Sequence, residues 1–335
     1  AAYAAAQNGA NVEIFESTND IAGGASGNPV AAMYPRFSAN KSPYSFLTAQ
    51  GYFFAEKIYT QLPSAYRKTG LLFSHSNDYQ EQWMLDMQNL NRADLFEIIN
   101  KKKMKQLYGF ESHGLLVKEG GYLFPKLICK EMITHPNIKI SYNHCFENWF
   151  KNKSKIDIQF INQEKKSGFD VLIIANGPSL EKYLSGLKIS KGQLVGLKGD
   201  QPIDLDLPIN SAGYILPKVN EITWIGSTHE REFENMDVCL DAGHELIERT
   251  NKNFEITLAG SDKFLMKANY RVGSKDRLPL AGKIEENIYA IGSLGSRGFS
   301  LGPILGEHVA SLINNSPSPI SSGIALAVEP LRFKD

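Results

Sequence analysis

Residues 1–16 are the part of the sequence that most restricts the fold. The run of small residues from Ala1 to Ala6, followed by Gly9, predicts a short helix that ends at a glycine. Residues 11–16 alternate between polar and apolar side chains and end at Glu16, which predicts a strand with an acid at its carboxyl end. The segment lacks a basic beginning, so we do not interpret it as a signal peptide.

A helix, a glycine turn and a strand ending in Glu16 are typical of the later part of a βαβ dinucleotide-binding unit. In that unit the acid follows a Gly-rich phosphate loop by about 20 residues and holds a ribose hydroxyl. The sequence contains no G-x-G-x-x-G, and counting back from Glu16 puts the loop before Ala1. We therefore expect the native gene to encode further residues upstream, including a strand and the Gly-rich turn. The alternative is an ordinary α/β crossover with a surface glutamate.

Three further loops could contact the same cofactor. The loop 23–29 is rich in backbone and side-chain donors, and the strand 169–174 stops at a small, Gly-ended loop. A third strand, 287–291, runs into a G-x-x-G-x-x-G turn and then a helix over 303–312. The candidate cofactor-binding residues are Glu16, Gly24, Ala25, Ser26, Gly27, Asn28, Ala175, Asn176, Gly177, Gly292, Gly295, Ser296, Arg297, Gly298 and Phe299.

Composition excludes several classes of protein. The 335 residues carry 36 Lys and Arg against 36 Asp and Glu, so the formal net charge is zero and any RNA-binding surface must be a local patch. Apolar runs such as Val171–Ala175 are far shorter than the roughly 20 residues of a membrane helix, and we expect no span. Three widely spaced cysteines (Cys129, Cys145 and Cys239) argue against a disulfide framework and favour a reduced, cytoplasmic setting. The histidines show no paired i, i+4 spacing, so no metal site is expected.

The order of these segments resembles one family. The supporting stretches are GGASGNPVAAMYPRFS (23–38), EGGYLFPKLICKEM (119–132), DVLIIANGPS (170–179), YRVGSKDRLPLAG (270–282) and AIGSLGSRGFSLGPILGEHVAS (290–311). They resemble the glycine/D-amino-acid oxidase family of FAD proteins, and within it the oxidoreductase half of bifunctional enzymes that modify the wobble uridine of tRNA. The tail LAVEPLRF (326–333) is similar as well, and the resemblance covers most of the chain outside 46–106.

The expected fold is a two-lobed α/β structure. We predict a Rossmann-like FAD domain from 1–42, 119–185 and 270–335, and an antiparallel-sheet substrate domain from 43–118 and 186–269. Strands are predicted around 193–198, 213–217 and 221–227, and the stretch 44–107 is predicted to be mainly helical. Residues 139–142 and 156–161 are predicted to form adjacent strands.

The resemblance implies a reaction. A flavin would take hydride from the carbon beside an amine nitrogen, and the resulting imine would hydrolyse. On tRNA, a carboxymethylaminomethyl group on the wobble uridine would lose its carboxymethyl arm as glyoxylate, leaving aminomethyluridine. No methyltransferase-like sequence precedes the oxidoreductase part, so a methyltransferase acting on that product would be a further domain or a separate protein.

Three side chains are the candidate catalytic residues. Arg271 resembles the family's substrate-side arginine and would hold a carboxylate, the alternative being an ion pair with Asp276 or another acid. Arg297 would lie by the isoalloxazine ring or the substrate carboxylate, or else cap its loop. Tyr214 would be an active-site phenol, or else simply pack at a strand end.

Other readings stay open at this point. His229 and the run 101–103 of lysines could meet RNA, although a solvated hairpin end and a solvated helix end explain them more simply. The same loops and arginine fit a glycine, sarcosine or D-amino-acid oxidase or dehydrogenase. A catalytically silent, tRNA-binding fragment is a third possibility, and the late Gly-rich loops fit a nicotinamide-dependent dehydrogenase poorly.

Overall fold

The structure, a computed structural model, describes residues 1–37, 42–74, 78–110, 112–203, 205–258 and 264–333. Ser38, the last residue of one family-like stretch, lies outside these ranges. The helices are α1 (Ala2–Gln7), α2 (Pro43–Tyr59), α3 (Asp78–Asn89), α4 (Lys101–Tyr108), α5 (Pro125–Met132), α6 (Leu240–Phe254), α7 (Gly298–Ile313) and α8 (Ser322–Val328). Two short 3₁₀ turns span Ala25–Gly27 and Gly177–Lys182. In the described part of the chain, no helix is both long and apolar enough to cross a membrane.

The strands are numbered in chain order. They are β1 (Val12–Phe15), β2 (Ala31–Met33), β3 (Tyr66–Arg67), β4 (Leu71–Ser74), β5 (Phe96–Ile99), β6 (Gly114–Val117), β7 (Gly121–Leu123), β8 (Ile138–Ser141), β9 (Phe146–Asn152), β10 (Lys155–Phe160), β11 (Lys165–Phe169), β12 (Leu172–Ile174), β13 (Leu187–Lys198), β14 (Ile209–Asn210), β15 (Tyr214–Ile215), β16 (Ile222–Gly226), β17 (Phe264–Ser274), β18 (Leu280–Glu285) and β19 (Ile288–Gly292).

The first predicted helix and strand are confirmed as α1 and β1. Gly9 follows α1 with φ of 88°, a left-handed value that glycine adopts without strain. Strand β1 pairs in parallel with β8, and β12 pairs in parallel with β19, whose other neighbour is the antiparallel β18. Helices α1 and α7 pack together, and α7 covers β18 and β19. Both parallel pairs direct their carboxyl ends toward loops that carry the predicted cofactor residues.

One predicted strand pairing is wrong. Strand β8 was expected beside β10, but β8 pairs with β1, whereas β10 lies between β9 and β11 in a separate antiparallel sheet. The polar segment between them forms a strand of its own, β9, which returns as a hairpin onto β10. This three-stranded sheet packs on Phe15, Ile174 and Ala290 in one apolar cluster, so its burial is decided by partners distant in sequence.

The largest sheet has eight strands in the order β17-β13-β16-β15-β14-β4-β6-β5. Its longest pairing joins β13 to β17 antiparallel, from Leu187 opposite Ser274 to Leu197 opposite Phe264. The strands predicted around 193–198, 213–217 and 221–227 are confirmed as β13, β15 and β16. Between 44 and 107, strands β3, β4 and β5 interrupt the expected helices.

The two faces of this sheet differ. One face presents Val195, Ile209, Ile215 and Ile225 to a core that α6 completes. On the other face, the strand registers align Asn210, Tyr214, Gly226, Leu194 and Lys267 in a row across five strands. This second face carries the polar residues of the candidate site, and we call it the site face.

The predicted division into two domains stays a proposal. Strand β17 crosses the expected boundary between residues 269 and 270 without a break, since its pairing with β13 continues to Ser274. The residues after 270 therefore include the last third of a strand of the large sheet.

Candidate active site

Two Gly-rich loops follow the neighbouring parallel strands β12 and β19. Asn176 lies after β12, at the start of the 3₁₀ turn, and its side-chain Oδ1 is buried without a hydrogen-bond partner. Gly292 ends β19, and a Cβ there would overlap Leu180 of the 3₁₀ turn, so the glycine allows the two loops to pack together. Ala175, Gly177 and the turn at Gly295 lie on the same edge. An unpaired buried oxygen is costly unless a ligand supplies a donor.

The helix after the second loop begins without a side-chain cap. Arg297 occupies the N-cap position of α7, and no side chain accepts a hydrogen bond from the first turn of the helix. Those N–H groups, together with Ser296 and Gly298, are available to an acceptor. The half-buried side chain of Phe299 packs against the apolar cluster that contains Tyr52 and Tyr59, and its contact with the cofactor stays a prediction.

On the N-terminal side, Glu16 directly follows β1. Its Oε1 accepts hydrogen bonds from the Thr18 N–H at 3.0 Å and from the Ser17 hydroxyl at 3.1 Å. The carboxylate is thereby held at the carboxyl end of the strand, the position that the sequence predicted for a ribose contact. The loop Gly24–Asn28 follows, with Gly24, Ala25 and Ser26 exposed.

Strand β17 braces that loop. Lys267 Nζ donates to the Gly27 carbonyl, and the side-chain amides of Asn269 and Asn28 lie 2.9 Å apart. Burial, with a contribution from Lys126, lowers the pKa of Lys267. Lys267, Asn269 and Arg271 alternate along β17 and so share the site face. One strand therefore connects the predicted cofactor loop to the predicted substrate arginine.

Arg271 lies flat above a glycine. A Cβ at Gly192 would sit 3.0 Å from Arg271 Nε, so a side chain there would displace the guanidinium group. Arg271 Nη2 donates to the Ser227 hydroxyl, and no described carboxylate lies within 4.0 Å of it. The alternative of an ion pair with Asp276 is wrong, because Asp276 binds Arg332 at 2.8 Å. The guanidinium group thus lacks a counter-ion on the site face, as an anion-binding group would.

Tyr214 lies beside Arg271. Its ring covers Gly226, where a Cβ would overlap the phenol, and its hydroxyl is hydrogen-bonded to Ser227. Burial raises the pKa of Tyr214 against the opposing effects of Arg271 and Ser227, so the phenol stays protonated. The two predicted catalytic residues therefore converge on one serine that the sequence did not single out.

Arg297 lies in the loop between β19 and α7, which is hydrogen-bonded to β17 of the site face. The N–H of Gly295 donates to Val272 O at 2.9 Å, which fixes the loop beside β17. Arg297 Nε donates to the Tyr44 hydroxyl at 3.2 Å, and its guanidinium carbon lies 5.3 Å from the centre of the Tyr34 ring. Arg297 is thus oriented by two phenols.

The two candidate RNA contacts behave as solvated residues. His229 is exposed; burial of its ring, with the charges of Arg271 and Arg231, lowers its pKa and favours the neutral imidazole. Lys101 and Lys102 begin α4 exposed to solvent, and Lys103 pairs with Glu97 at 2.5 Å. Throughout the described ranges, no three His, Cys, Asp or Glu side chains cluster as metal ligands would, and the three cysteines are unbridged.

The residues at this site fit FAD. The unpaired Asn176 oxygen can accept a hydrogen bond, the uncapped α7 terminus suits an anionic or carbonyl-rich group, and Glu16 suits a ribose hydroxyl. Nothing lies within 4 Å of a Cβ built at Gly24 or Gly295, so both loops border open space.

The chain belongs to the FAD dependent oxidoreductase family abbreviated DAO, whose family model matches residues 1–312. The predicted FAD cofactor and oxidoreductase class are thereby confirmed. Among its curated relatives is the tRNA 5-methylaminomethyl-2-thiouridine biosynthesis bifunctional protein MnmC of Campylobacter jejuni subsp. doylei, 24% identical over 99% of this chain and 56% of the relative. The protein of the same name from Hahella chejuensis is 24% identical over 99% of this chain and 57% of its own length. The chain thus spans little more than half the length of these relatives.

Solved structures share the fold. Glycine oxidase from Geobacillus kaustophilus superposes with a TM-score of 0.82 at 16% identity, covering 100% of this chain and 95% of the oxidase. Iminodiacetate oxidase from Chelativorans sp. BNC1 gives 0.81 at 16% identity, covering 98% and 95%. The predicted α/β fold class is confirmed, with sheets that are mostly mixed or antiparallel.

Several residues of the candidate site have no sequence motif of their own; they are Ser227, Tyr34, Tyr44 and Lys267. The alternation of Lys267, Asn269 and Arg271 was a usable signal, since polar residues two apart on a strand share a face. The roles of Ser227 and Tyr44 depend on pairings between distant segments, which no local pattern indicates.

Proposed function

We propose that this chain is an FAD-dependent oxidoreductase that removes the carboxymethyl arm of carboxymethylaminomethyl-(thio)uridine at the wobble position of tRNA. The observation that carries the proposal is Arg271, a guanidinium group without a described counter-ion, set beside loops that suit FAD. The similarity to the MnmC relatives over 99% of the chain supports tRNA as the substrate.

The reaction acts on the CH–NH group of a secondary amine. FAD, when bound, supplies a two-electron acceptor for the hydride on the carbon of the carboxymethyl arm next to nitrogen. Loss of that hydride and of the N–H proton leaves a C=N bond, to which water adds. Breakage of the C–N bond then releases glyoxylate and leaves aminomethyluridine. The protein must hold the arm in place and bind the amine in its neutral form.

Arg271 is assigned to the carboxylate of the arm. A guanidinium fork binds a carboxylate through two parallel N–H donors, which fixes its orientation as well as its position. The Ser227 hydroxyl and Gly192 hold the fork in place, and Tyr214 offers a protonated phenol beside it. The cofactor would be held by Glu16, the loop Gly24–Asn28, Asn176 and the turn before α7.

A second function has support of its own. The fold neighbours include a glycine oxidase and an iminodiacetate oxidase, and a carboxylate clamp beside FAD would also serve a free amino acid. Glycine, sarcosine or a D-amino acid would then be the substrate. The two functions differ in what lies beyond the amine, which is a nucleotide in one case and a small group in the other.

The test is anaerobic reduction of the FAD-loaded protein, followed by the loss of oxidised-flavin absorbance. The tRNA proposal expects loss with tRNA carrying carboxymethylaminomethyluridine, and none with glycine, sarcosine, iminodiacetate or unmodified tRNA. Loss with a free amino acid instead would assign the amine-oxidase function. A protein that takes up no flavin would leave only the catalytically silent, tRNA-binding alternative.

Substitution of Arg271 tests the clamp. We expect Arg271→Met to lower kcat/KM for the modified tRNA about 100-fold, since a charge-assisted bidentate contact is lost. Arg271→Lys keeps the charge without the fork and should recover only part of that loss. Arg277→Met, which removes an exposed arginine from the nearby turn, is the matched control and should behave as wild type.

The product indicates a partner. Aminomethyluridine carries a nucleophilic primary amine, and the relatives' names describe a methylaminomethyl product. We propose that a methyltransferase domain or protein consumes it, in the cytoplasm where tRNA is modified.

A further inference from the structure

A stacked cation lies in the loop that is hydrogen-bonded to the strand of the proposed substrate arginine. The Arg297 guanidinium group lies over the Tyr34 ring, and the Tyr34 edge contacts the ring of Phe73, whose centre is 5.2 Å away in a T-shaped arrangement. Tyr44 receives the Nε hydrogen bond. Arg297, Tyr34 and Tyr44 are all partly exposed, so the stack borders solvent. We call these three residues the tyrosine–arginine stack.

The Arg297 guanidinium group has more N–H donors than hydrogen-bond partners. A guanidinium group carries five N–H donors, and the partners of Arg297 are the phenols of Tyr34 and Tyr44. No carboxylate in the described ranges lies within 4.0 Å of it. Arg297 is therefore oriented but not satisfied, which suits a ligand with acceptor oxygens.

Hydrogen bonds and one strand pairing link the stack to Arg271. Asn210 Nδ2 donates to the Tyr34 hydroxyl at 3.2 Å, and Asn210 pairs with Tyr214 on the adjacent strand. Tyr214 in turn contacts Ser227, which holds Arg271. A ligand whose carboxylate lies on Arg271 and whose chain passes Tyr214 would reach the stack.

We propose that the tyrosine–arginine stack is the subsite for the uracil ring of the substrate nucleotide. The proposal rests on the proposed function and names residues that select a nucleoside over a free amino acid. Unstacked RNA bases are held by aromatic rings and by guanidinium planes, and are read by hydrogen bonds to their edges. Uracil presents two carbonyl oxygens, which match the unsatisfied N–H donors of Arg297.

The test separates the ring from the arm. Dissociation constants are measured by calorimetry on the FAD-loaded protein with uridine, which has no arm, and with N-methylglycine, which has no ring. We expect Arg297→Gln and Tyr34→Leu to weaken uridine binding at least tenfold and to leave N-methylglycine unchanged. Arg271→Met should do the reverse. Tyr34→Phe keeps the ring and should stay within about threefold of wild type, an estimate from the weakness of one neutral hydrogen bond.

The second readout is anaerobic reduction by the nucleoside 5-carboxymethylaminomethyluridine. Arg297→Gln should raise its apparent Kd at least tenfold, measured on the FAD-loaded fraction of the variant. Unchanged constants in Arg297→Gln and Tyr34→Leu, or no uridine binding by wild type at millimolar concentration, would overturn the subsite. Competition by inorganic phosphate as strong as that by uridine would assign the stack to an anion and also overturn it. If modified tRNA fails to reduce the wild-type flavin, the proposed function fails, whatever uridine does.

Discussion

At the scale of single residues, Arg332 and Arg271 differ in how many of their N–H donors have hydrogen-bond partners. Arg332 is almost fully paired: it donates to Asp276 at 2.8 and 2.9 Å and to the carbonyls of Leu278 and Glu329. Among the described residues, Arg271 has one hydroxyl as its partner. A satisfied guanidinium group stabilises a fold, whereas an unsatisfied one suits a ligand, which is why Arg271 and not Arg332 is the candidate for substrate binding.

The Arg332–Asp276 pair gives a pH-dependent prediction. Burial opposes ionisation, but hydrogen bonds from Arg332, Ser274 and the Leu278 N–H outweigh it and lower the pKa of Asp276. A lowered carboxyl pKa contributes stability above the ordinary value near pH 4, and that contribution is lost as pH falls through the lowered value. We expect Arg332→Met to cost about 1 kcal/mol of unfolding free energy at pH 7, a figure reduced for partial exposure.

Urea denaturation at pH 7 and pH 3 measures this effect. The difference between variant and wild type should shrink at pH 3, because the Asp276 carboxyl of the unfolded chain, with its ordinary pKa near 4, takes up a proton there. Lys218→Met removes an exposed pair with Asp200 and should change nothing measurable. A difference that is equal at both pH values would contradict the assignment of the stability to this pair.

Asn176 gives a second prediction at this scale. Its buried Oδ1 has no partner, so Asn176→Ala removes an unsatisfied acceptor from the protein stripped of FAD. We expect the stability of that form to stay the same or rise by up to about 1 kcal/mol, while FAD affinity falls about tenfold. Asn162→Ala, at an exposed position, is the control. Equal FAD affinity in Asn176→Ala and wild type would mean that the oxygen does not face the cofactor.

At the scale of elements, α7 contains a proline, which leaves one helix carbonyl without its usual N–H donor. Pro303 lacks an N–H, so the carbonyl of Phe299, four residues earlier, has no helical partner. The Tyr59 hydroxyl of α2 donates to that carbonyl at 3.0 Å. Burial raises the pKa of Tyr59, which keeps the phenol protonated and able to donate. One helix thus completes the hydrogen bonding of another, close to the turn that is a candidate for cofactor binding.

We predict that Tyr59→Phe destabilises the protein by about 1 to 3 kcal/mol, because it leaves a buried carbonyl unsatisfied. In a Pro303→Ala background the alanine N–H can donate to the Phe299 carbonyl, so Tyr59→Phe should cost about 1 kcal/mol less. The free energies of unfolding of the two single variants and the double variant give this coupling. Additive effects would show that Tyr59 stabilises α7 by packing alone.

At the scale of the whole molecule, the candidate cofactor site gathers segments from almost the full length of the chain. Glu16, the loop Gly24–Asn28, the turn after β12 and the turn before α7 are spread along the sequence, although β12 and the strand before α7, β19, share one sheet. The large sheet is coupled to them through Lys267 and Asn269. A ligand bound by all of these segments stabilises the native state as a unit.

We therefore expect FAD to raise the unfolding temperature of the protein in one cooperative transition. The stabilisation is roughly 2.7 kcal/mol at free FAD 100-fold above its Kd. Lys267→Met frees the loop from β17 and should reduce the shift at the same FAD concentration, while Lys188→Met, exposed on the neighbouring strand, should not. Scanning calorimetry with increasing FAD measures the shift in unfolding temperature of each variant. Equal shifts in the two variants would show that the contact of Lys267 with the loop does not support FAD binding.

The sequence by itself determined the local elements and indicated the candidate cofactor loops. Small residues before Gly9, the alternation that ends at Glu16, and the glycines after two buried strands depend on backbone conformation and periodicity, which neighbouring residues set. Arg271 was identified through a family-like stretch around it. The predicted pairing of β8 with β10 was wrong, because the residues of a strand do not by themselves specify which other strand it pairs with.

Only the tertiary structure decided which side chains meet. Asp276 pairs with Arg332 and not with Arg271, Phe299 packs against the cluster of Tyr52 and Tyr59, and Arg297 lies on Tyr34. These contacts join residues far apart in sequence, as do the close approaches of Arg271 to Gly192 and of Tyr214 to Gly226. Hydrogen bonds and charge pairs act over a few ångströms, so their partners are fixed by packing, and packing is a property of the whole chain.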